Sequence, residues 1–227
     1  MKGPDLTVIV VGSEKGGVGK TTLALALAHQ AMSAGADVVV LDTDRQKSAS
    51  RWAESRSMSP GVPALPVLAH SAAPLHEIAS LARRYDLVVA DIGAQNYRVL
   101  LECSMLADVY LIPSGTSSLD LDSAEELYLL LSRMAQGRHA GALRVVLNKV
   151  PPRENSAEVH RTRQRLRHAK VATLDNALAQ RSVWRSFANT GLALSELPKR
   201  HADPRATQEL QAVYDEVVSL ARKGRKK

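Results

Sequence analysis

The chain has 227 residues, 45% apolar and 23% charged, a composition that describes one globular domain with a full core and excludes a disordered chain. No run of about 18 apolar residues offers a membrane span, no signal-peptide cleavage pattern precedes the first apolar run, and Cys103 is alone. The expectation is a cytoplasmic protein without disulfides, cysteine metal ligands or stable membrane insertion; its net charge of +7 divides into 10 Lys and Arg against 15 Asp and Glu over residues 1–132, and 20 against 8 over residues 133–227.

Residues 6–11, LTVIVV, form a continuous β-branched run that breaks into GSEKGGVGKTT, residues 12–22. Such a run predicts a strand buried on both faces. A helix follows over TTLALALAHQAMSAG, ended by Gly35. Further buried strands are predicted at 37–42, 86–91, 109–113 and 143–149, with helices near 46–57, 74–84, 97–107, 122–136 and 155–169. Residues 57–66, SMSPGVPALP, read as a loop. A last helix over 205–222 places Leu210, Val213, Val217 and Leu220 on one stripe, the pattern of a helix docked on the core. Strands alternating with helices predict an α/β fold with a mainly parallel twisted sheet covered on both faces, as a single domain over 1–222 with a basic tail at 223–227.

The chemistry gathers at the strand ends. In the loop, Gly16, Gly17 and Gly19 free the backbone to aim successive N–H groups at phosphate oxygens, and Val18, Lys20, Thr21 and Thr22 complete a nucleotide cradle. Lys20 reaches the β- and γ-phosphates and the Thr21 hydroxyl can hold Mg²⁺. The first glycine of the ordinary pattern is replaced by Glu14, and an additional lysine, Lys15, follows it. Asp91 ends a strand at the position from which a carboxylate holds Mg²⁺ through water. Asp42 and Asp44 bracket another strand end; one can orient an attacking water while the other holds metal-bound waters.

These motifs, KGGVGKTT, DTDRQ, LVVAD, ADVYLIPSGTSSLDLDSAEEL and RSVWRSFANTGLALSEL, resemble the deviant-Walker P-loop ATPases of the ParA/MinD group, and more closely its small ParA-type partition members. The resemblance runs along nearly the whole chain and implies ATP and Mg²⁺ as cofactors and an ATP-bound homodimer in which Lys15 reaches the partner's phosphates. It implies Lys20 and Thr21 acting in cis, Asp44 in hydrolysis, Asp42 and Asp91 near the metal, Asn148 near the adenine, and Asp120 in a functional segment. Hydrolysis would be weak alone and stimulated by a ParB-like or other adaptor protein. Two departures stand out: Arg45 where relatives carry proline, and IGAQ after Asp91 where many carry a proline-containing segment.

The basic C-terminal part suits nonspecific duplex DNA, because each cation that neutralises a phosphate releases counterions. Candidate contacts are Arg181, Arg185, Lys199 and Arg200, with the tail lysines adding to them. Arg161, Arg163, Arg165 and Arg167 point around much of one helix and are as readily a solvated face. A membrane-cycling MinD-like ATPase would need a basic amphipathic last helix, and here Glu209, Asp215 and Glu216 lie on its polar side. A metabolic enzyme of the same fold is the third alternative; an iron–sulfur version would need two cysteines per subunit.

Overall fold

A computed structural model describes residues 8–69, 73–94, 97–134, 142–152 and 156–224. Among the described residues seven strands form one sheet: β1 (Val8–Gly12), β2 (Val38–Asp42), β3 (Val67–Ala69), β4 (Leu87–Ile92), β5 (Val109–Ser114), β6 (Ala142–Val150) and β7 (Leu178–Ala179). Their order is β3-β2-β4-β1-β5-β6-β7, and every neighbouring pair is parallel. The sheet is thus wholly parallel among the described strands. The additional members, β3 and β7, are edge strands of three and two residues, too short to leave a periodic signal.

Eight α-helices among the described residues cover the sheet: α1 (Lys20–Ser33), α2 (Ser48–Ser57), α3 (Pro74–Leu81), α4 (Tyr97–Ser104), α5 (Ser118–Met134), α6 (Ala157–His168), α7 (Val183–Thr190) and α8 (Pro204–Gly224). Side-chain alternation along each strand divides them into two layers. Ile9 and Val11 point to one face, against Leu23 and Leu27 of α1, Trp52 of α2, Phe187 of α7 and Val213 of α8. Val8 and Val10 point to the other, against Ile78 of α3, Leu100 of α4, Leu127 of α5 and Leu166 of α6. Both faces are dry, which is why the strands read as unbroken apolar runs.

Helix boundaries shift where local chemistry overrides periodicity. Lys47 takes a left-handed conformation (φ 52°), so α2 starts at Ser48 and not at 46. The Ser156 hydroxyl accepts from the Val159 amide and starts α6. Ser117 does the same for Asp120, and α5 begins at Ser118, four residues earlier than its apolar pattern indicates. In α8 the expected stripe is buried at Leu210, Val213 and Val217, with Ala221 completing it and Leu220 half-buried. The helix runs two residues past the expected boundary at 222; residues 225–227 of the tail lie outside the described residues.

One buried polar cluster ties three elements of the first layer together. Arg56, at the end of α2, is 1% exposed and grips both carboxylate oxygens of Glu196 at 2.7 Å. Its Nε donates to the Pro63 carbonyl and its Nη1 to that of Gly191. The guanidinium carbon lies 5.3 Å from the Trp52 ring centroid, Trp52 stacks on Phe187 at 5.2 Å, and the Trp52 indole N–H donates to the Phe187 carbonyl. Burial alone would push the Glu196 carboxyl up, yet Arg56, the Ala193 amide and His29 hold it down at about 2. α2 and α7 are therefore bolted face to face.

Candidate nucleotide site

The order of the sheet reverses at β1, whose chain leaves to β2 on one side while β5 lies on the other. Open parallel sheets bind ligands outside the strand ends at such a point. There the turn after β1 runs directly into α1. Gly19 (φ 90°) precedes the helix, and no side chain caps its first amides. Those N–H groups and the positive end of the helix are left to an anion. Gly19 is also needed for space: a β-carbon there would lie 2.4 Å from the Asn148 amide nitrogen.

A cleft over the loop is lined by Gly16, Gly17, Lys20, Thr21, Thr22 and Asp44, among others. Lys20 is 6% exposed and donates from Nζ to the Lys15 carbonyl at 2.8 Å. Burial lowers its pKa against the pull of Asp91 and Asp44, so a polyanion entering the cleft meets a poorly solvated ammonium. Asn148, at the end of β6, donates from its side chain to the Val18 carbonyl and opens a second cavity floored by Gly19, Thr22 and Leu178 and walled by Trp184 and Arg185. This cavity continues the phosphate cleft and suits a nucleoside.

Sheet register brings the acids together. Asp42 and Asp91 are direct partners across β2 and β4, both buried. The Thr21 hydroxyl donates to Asp91 Oδ2 at 2.6 Å, while Asp91 Oδ1 is buried without a partner. Burial pushes the Asp91 carboxyl up to about 7, with Asp42 and Asp44 adding to the rise and Thr21 and Lys20 opposing it. An orphaned carboxylate oxygen beside a hydroxyl is a hard donor set that fits Mg²⁺. Among the described residues there is no group of three or more His, Cys, Asp or Glu that could hold a metal ion. Asp42 lies beside Asp91 on the neighbouring strand, and its oxygens are also engaged in the turn that follows: Oδ1 accepts from the Asp44 amide and Oδ2 from the amide and hydroxyl of Ser50, which ties down the start of α2.

The uncompensated charge of Asp91 has a measurable consequence. Its folded pKa lies above the unfolded value of 3.8, so the folded state holds the proton longer and metal-free stability falls as pH rises from about 4 through about 7. The slope approaches 1.4 kcal/mol per pH unit from this group. Asp91→Asn should flatten that loss in thermal melts with EDTA at pH 5–8, while abolishing the stabilisation that Mg²⁺ adds in the presence of nucleotide.

Asp44 is half-buried at the cleft wall. Its Oδ1 accepts from the Gln46 amide and its carbonyl from the Lys47 amide, a turn that fixes the segment where Arg45 replaces proline. Gly93 of the IGAQ segment packs directly on it: a β-carbon there would lie 2.9 Å from Asp44 Cα. The Thr43 hydroxyl donates to the Asp91 carbonyl and accepts from the Gly93 amide, each at 3.1 Å, stitching the two strand ends together. Gln95 lies outside the described residues. Thr43 carried no signal beyond its place between two aspartates.

Lys15 behaves unlike Lys20. Its side chain leaves the cleft and meets Asp120 at 2.6 Å, where Ser117 supplies a second bond to the carboxylate. Burial acts to raise the Asp120 pKa, and the bonds from Lys15 and Ser117 outweigh it, so the net shift is downward. Glu14, half-buried beside it, has one oxygen without a partner, and burial together with Glu126 raises its carboxyl.

Residues 9–189 match the CobQ/CobB/MinD/ParA nucleotide binding domain. The chain belongs to this family. It is an ATPase of the ParA/MinD type. It is 25% identical to Protein ParA of Rhizobium radiobacter over 209 residues, covering 90% of this chain and 92% of that one. It is 30% identical to maintenance of carboxysome distribution protein A of Gloeobacter kilaueensis over 215 residues, covering 93% and 92%. Among solved structures, apo McdA of Cyanothece superposes with a TM-score of 0.73 at 16% identity, over 92% of this chain and 98% of that one. For this ParA/MinD-type chain that last likeness concerns the fold alone.

The basic candidates separate sharply. Arg181 is held by Glu209 at 2.6 Å and lies 3.5 Å from Asp203, with a side chain 13% exposed, so its charge is spent inside the protein. Arg185 on α7, and Lys199 and Arg200 on a 3₁₀ turn, are exposed and make no ion pair among the described residues. On α6, Arg163 donates to the Leu174 and Asp175 carbonyls and Arg165 pairs with Asp122 and Glu125, while Arg161 and Arg167 face solvent. Cys103 is buried, its thiol pushed up to about 12 by burial, which leaves it inert. Among the described residues no helix is long and apolar enough to cross a membrane.

Proposed function

We propose that this ParA/MinD-type ATPase positions a cargo by cycling between a monomer and an ATP-bound homodimer that holds nonspecific duplex DNA. The observation that carries the reading is the direction of Lys15. It sits inside a nucleotide loop, yet its ammonium points away from its own cleft toward Asp120 and is a third exposed. A lysine so placed can serve phosphates bound elsewhere, by exchanging Asp120 for the γ-phosphate of a partner across a two-fold interface. ATP and Mg²⁺ are the cofactors. Lys20 holds the β- and γ-phosphates in cis, Thr21 and Asp91 hold the metal, Val18, Thr22 and Asn148 frame the nucleotide, and Asp44 orients the attacking water. Asp42 acts through the α2 start and Asp44. Release follows hydrolysis stimulated by a ParB-like or other adaptor. The relatives are named Protein ParA and maintenance of carboxysome distribution protein A, and this reading leaves the identity of the cargo to the adaptor.

DNA is favoured over a membrane as the surface visited. The apolar stripe of α8 is consumed by the core, and Glu209 and Glu216 are engaged in holding Arg181, Ala179 and residues 175–176. Among the cations left outside are Arg185, Lys199 and Arg200, doubled in a dimer. The test is duplex DNA binding with ATP, ADP or no nucleotide across a salt series. Binding is expected with ATP only. Lys199→Ala with Arg200→Ala should weaken it for all sequences and flatten the log–log salt slope by about one for each phosphate no longer neutralised. Arg181→Ala should lower thermal stability instead. Retention of the ATP form on anionic vesicles with no affinity for DNA would overturn this reading.

A further inference from the structure

The geometry points to Lys149 as a third lysine of the nucleotide site, one that positions the phosphate loop from the neighbouring strand. Three described residues other than glycine have positive φ: Lys47, Lys149 and Lys170. Lys170 follows the end of α6, an ordinary place for a left-handed residue, and Lys47 sits in the turn that leads from Asp44 into α2. Lys149 instead lies inside β6, φ 57°, where the pairing with β7 slips between Asn148 and Val150. A residue with a β-carbon adopts this conformation against a steric penalty, and a bulge at a strand end re-aims the side chain it carries. The strain has an identifiable product.

That product is a clamp on the loop. Lys149 Nζ donates to the Gly17 carbonyl at 2.5 Å. The Lys149 amide donates to Asn148 Oδ1, which leaves the other end of the same side chain to donate to the Val18 carbonyl at 2.8 Å. Two consecutive carbonyls of the loop are thus held from β6, and a third, that of Lys15, is held by Lys20. Holding these carbonyls fixes the peptide planes of the loop, and with them the N–H groups that a bound phosphate would meet. Lys149 is exposed, and among the described residues it is the one charged side chain that lines both the phosphate cleft and the nucleoside cavity. Its charge also reaches Asp120, the group that holds Lys15.

This inference deepens the nucleotide-binding reading and rests on it, independently of DNA and of dimerisation. Loss of the charge-assisted tether in Lys149→Met should weaken binding of both MgADP and MgATP by about 10- to 100-fold, the range expected for one hydrogen bond to a charged group. Because Lys20, Asp44 and Asp91 are untouched, KM should rise while kcat at saturating ATP stays within about threefold. Lys149→Arg should restore most of the affinity. Lys149→Gly relieves the backbone strain and removes the tether, so it should raise the melting temperature while nucleotide affinity falls. Titration calorimetry with MgADP, melts without nucleotide and steady-state hydrolysis read these out. Wild-type affinity in Lys149→Met, a fall in kcat at unchanged KM, or a loss of both stability and affinity in Lys149→Gly would each overturn the assignment. No MgADP binding by the wild-type protein would remove the nucleotide reading itself, and this inference with it.

Discussion

With Lys15 replaced by alanine, the protein should remain monomeric in MgATP while still binding nucleotide. The two halves of that outcome come from different atoms of one residue. The loop uses the Lys15 carbonyl, which accepts from Lys20 Nζ, and alanine keeps that carbonyl. The ammonium lies outside the cleft on Asp120, so its loss costs the monomer a partly exposed ion pair worth about 1 kcal/mol or less. In the proposed dimer the same ammonium is desolvated against phosphate, where truncating a charged partner costs about 2–5 kcal/mol, and two-fold symmetry counts it twice. Dimer affinity should therefore fall by about a thousandfold or more. Light scattering with and without MgATP, beside calorimetric nucleotide binding, checks both halves. A dimer that forms as in the wild type would remove Lys15 from the interface.

Arg56→Ala should be the most destabilising single substitution among the charged residues. It leaves the Glu196 carboxylate and the Pro63 and Gly191 carbonyls without their donor in a buried setting. Breaking a buried pair in this way costs about 3–5 kcal/mol, a large share of a domain's net stability. A fall in melting temperature on the order of 10 °C follows for a chain of this length. Arg56→Lys should recover little, because the planar fork makes four bonds that an ammonium cannot reproduce. Arg165→Ala, which removes an exposed pair with Asp122 and a partly exposed one with Glu125, is the control and should cost about 1 kcal/mol. The pH dependence has a definite sign. Glu196 is depressed to about 2 from 4.5, so its contribution is full above about 4.5 and is lost as pH falls toward 2; that acid-side loss should be smaller in Arg56→Ala, where only the Ala193 amide and His29 still favour the carboxylate.

Most of the sheet and the nucleotide loop were legible because their signals are local. A strand buried on both faces is an unbroken apolar run, and GGVGKTT announces its own backbone. What stayed hidden depends on partners distant in sequence. Arg181 and Arg185 look alike as letters, and only Glu209, 28 residues further on, decides which of them keeps a free charge. Asp42 and Asp44 look interchangeable until Ser50 claims one of them. α7 buries only Val183 and Phe187, too few for a helical period to emerge. Lys149 resembles any lysine at the end of a strand; its place directly after Asn148 was the one available hint, and the bulge that turns it onto Gly17 has no sequence signature.

The Arg56 cluster also determines what can move separately from what. α2 begins four residues after Asp44, and it grips α7 through Trp52 and Arg56, with Phe187 and Glu196 on the receiving side. Arg185 stands two residues before Phe187 on the same helix. Asp44 at the cleft wall and Arg185 are thus joined through one continuous set of buried contacts, centred on the Arg56 guanidinium.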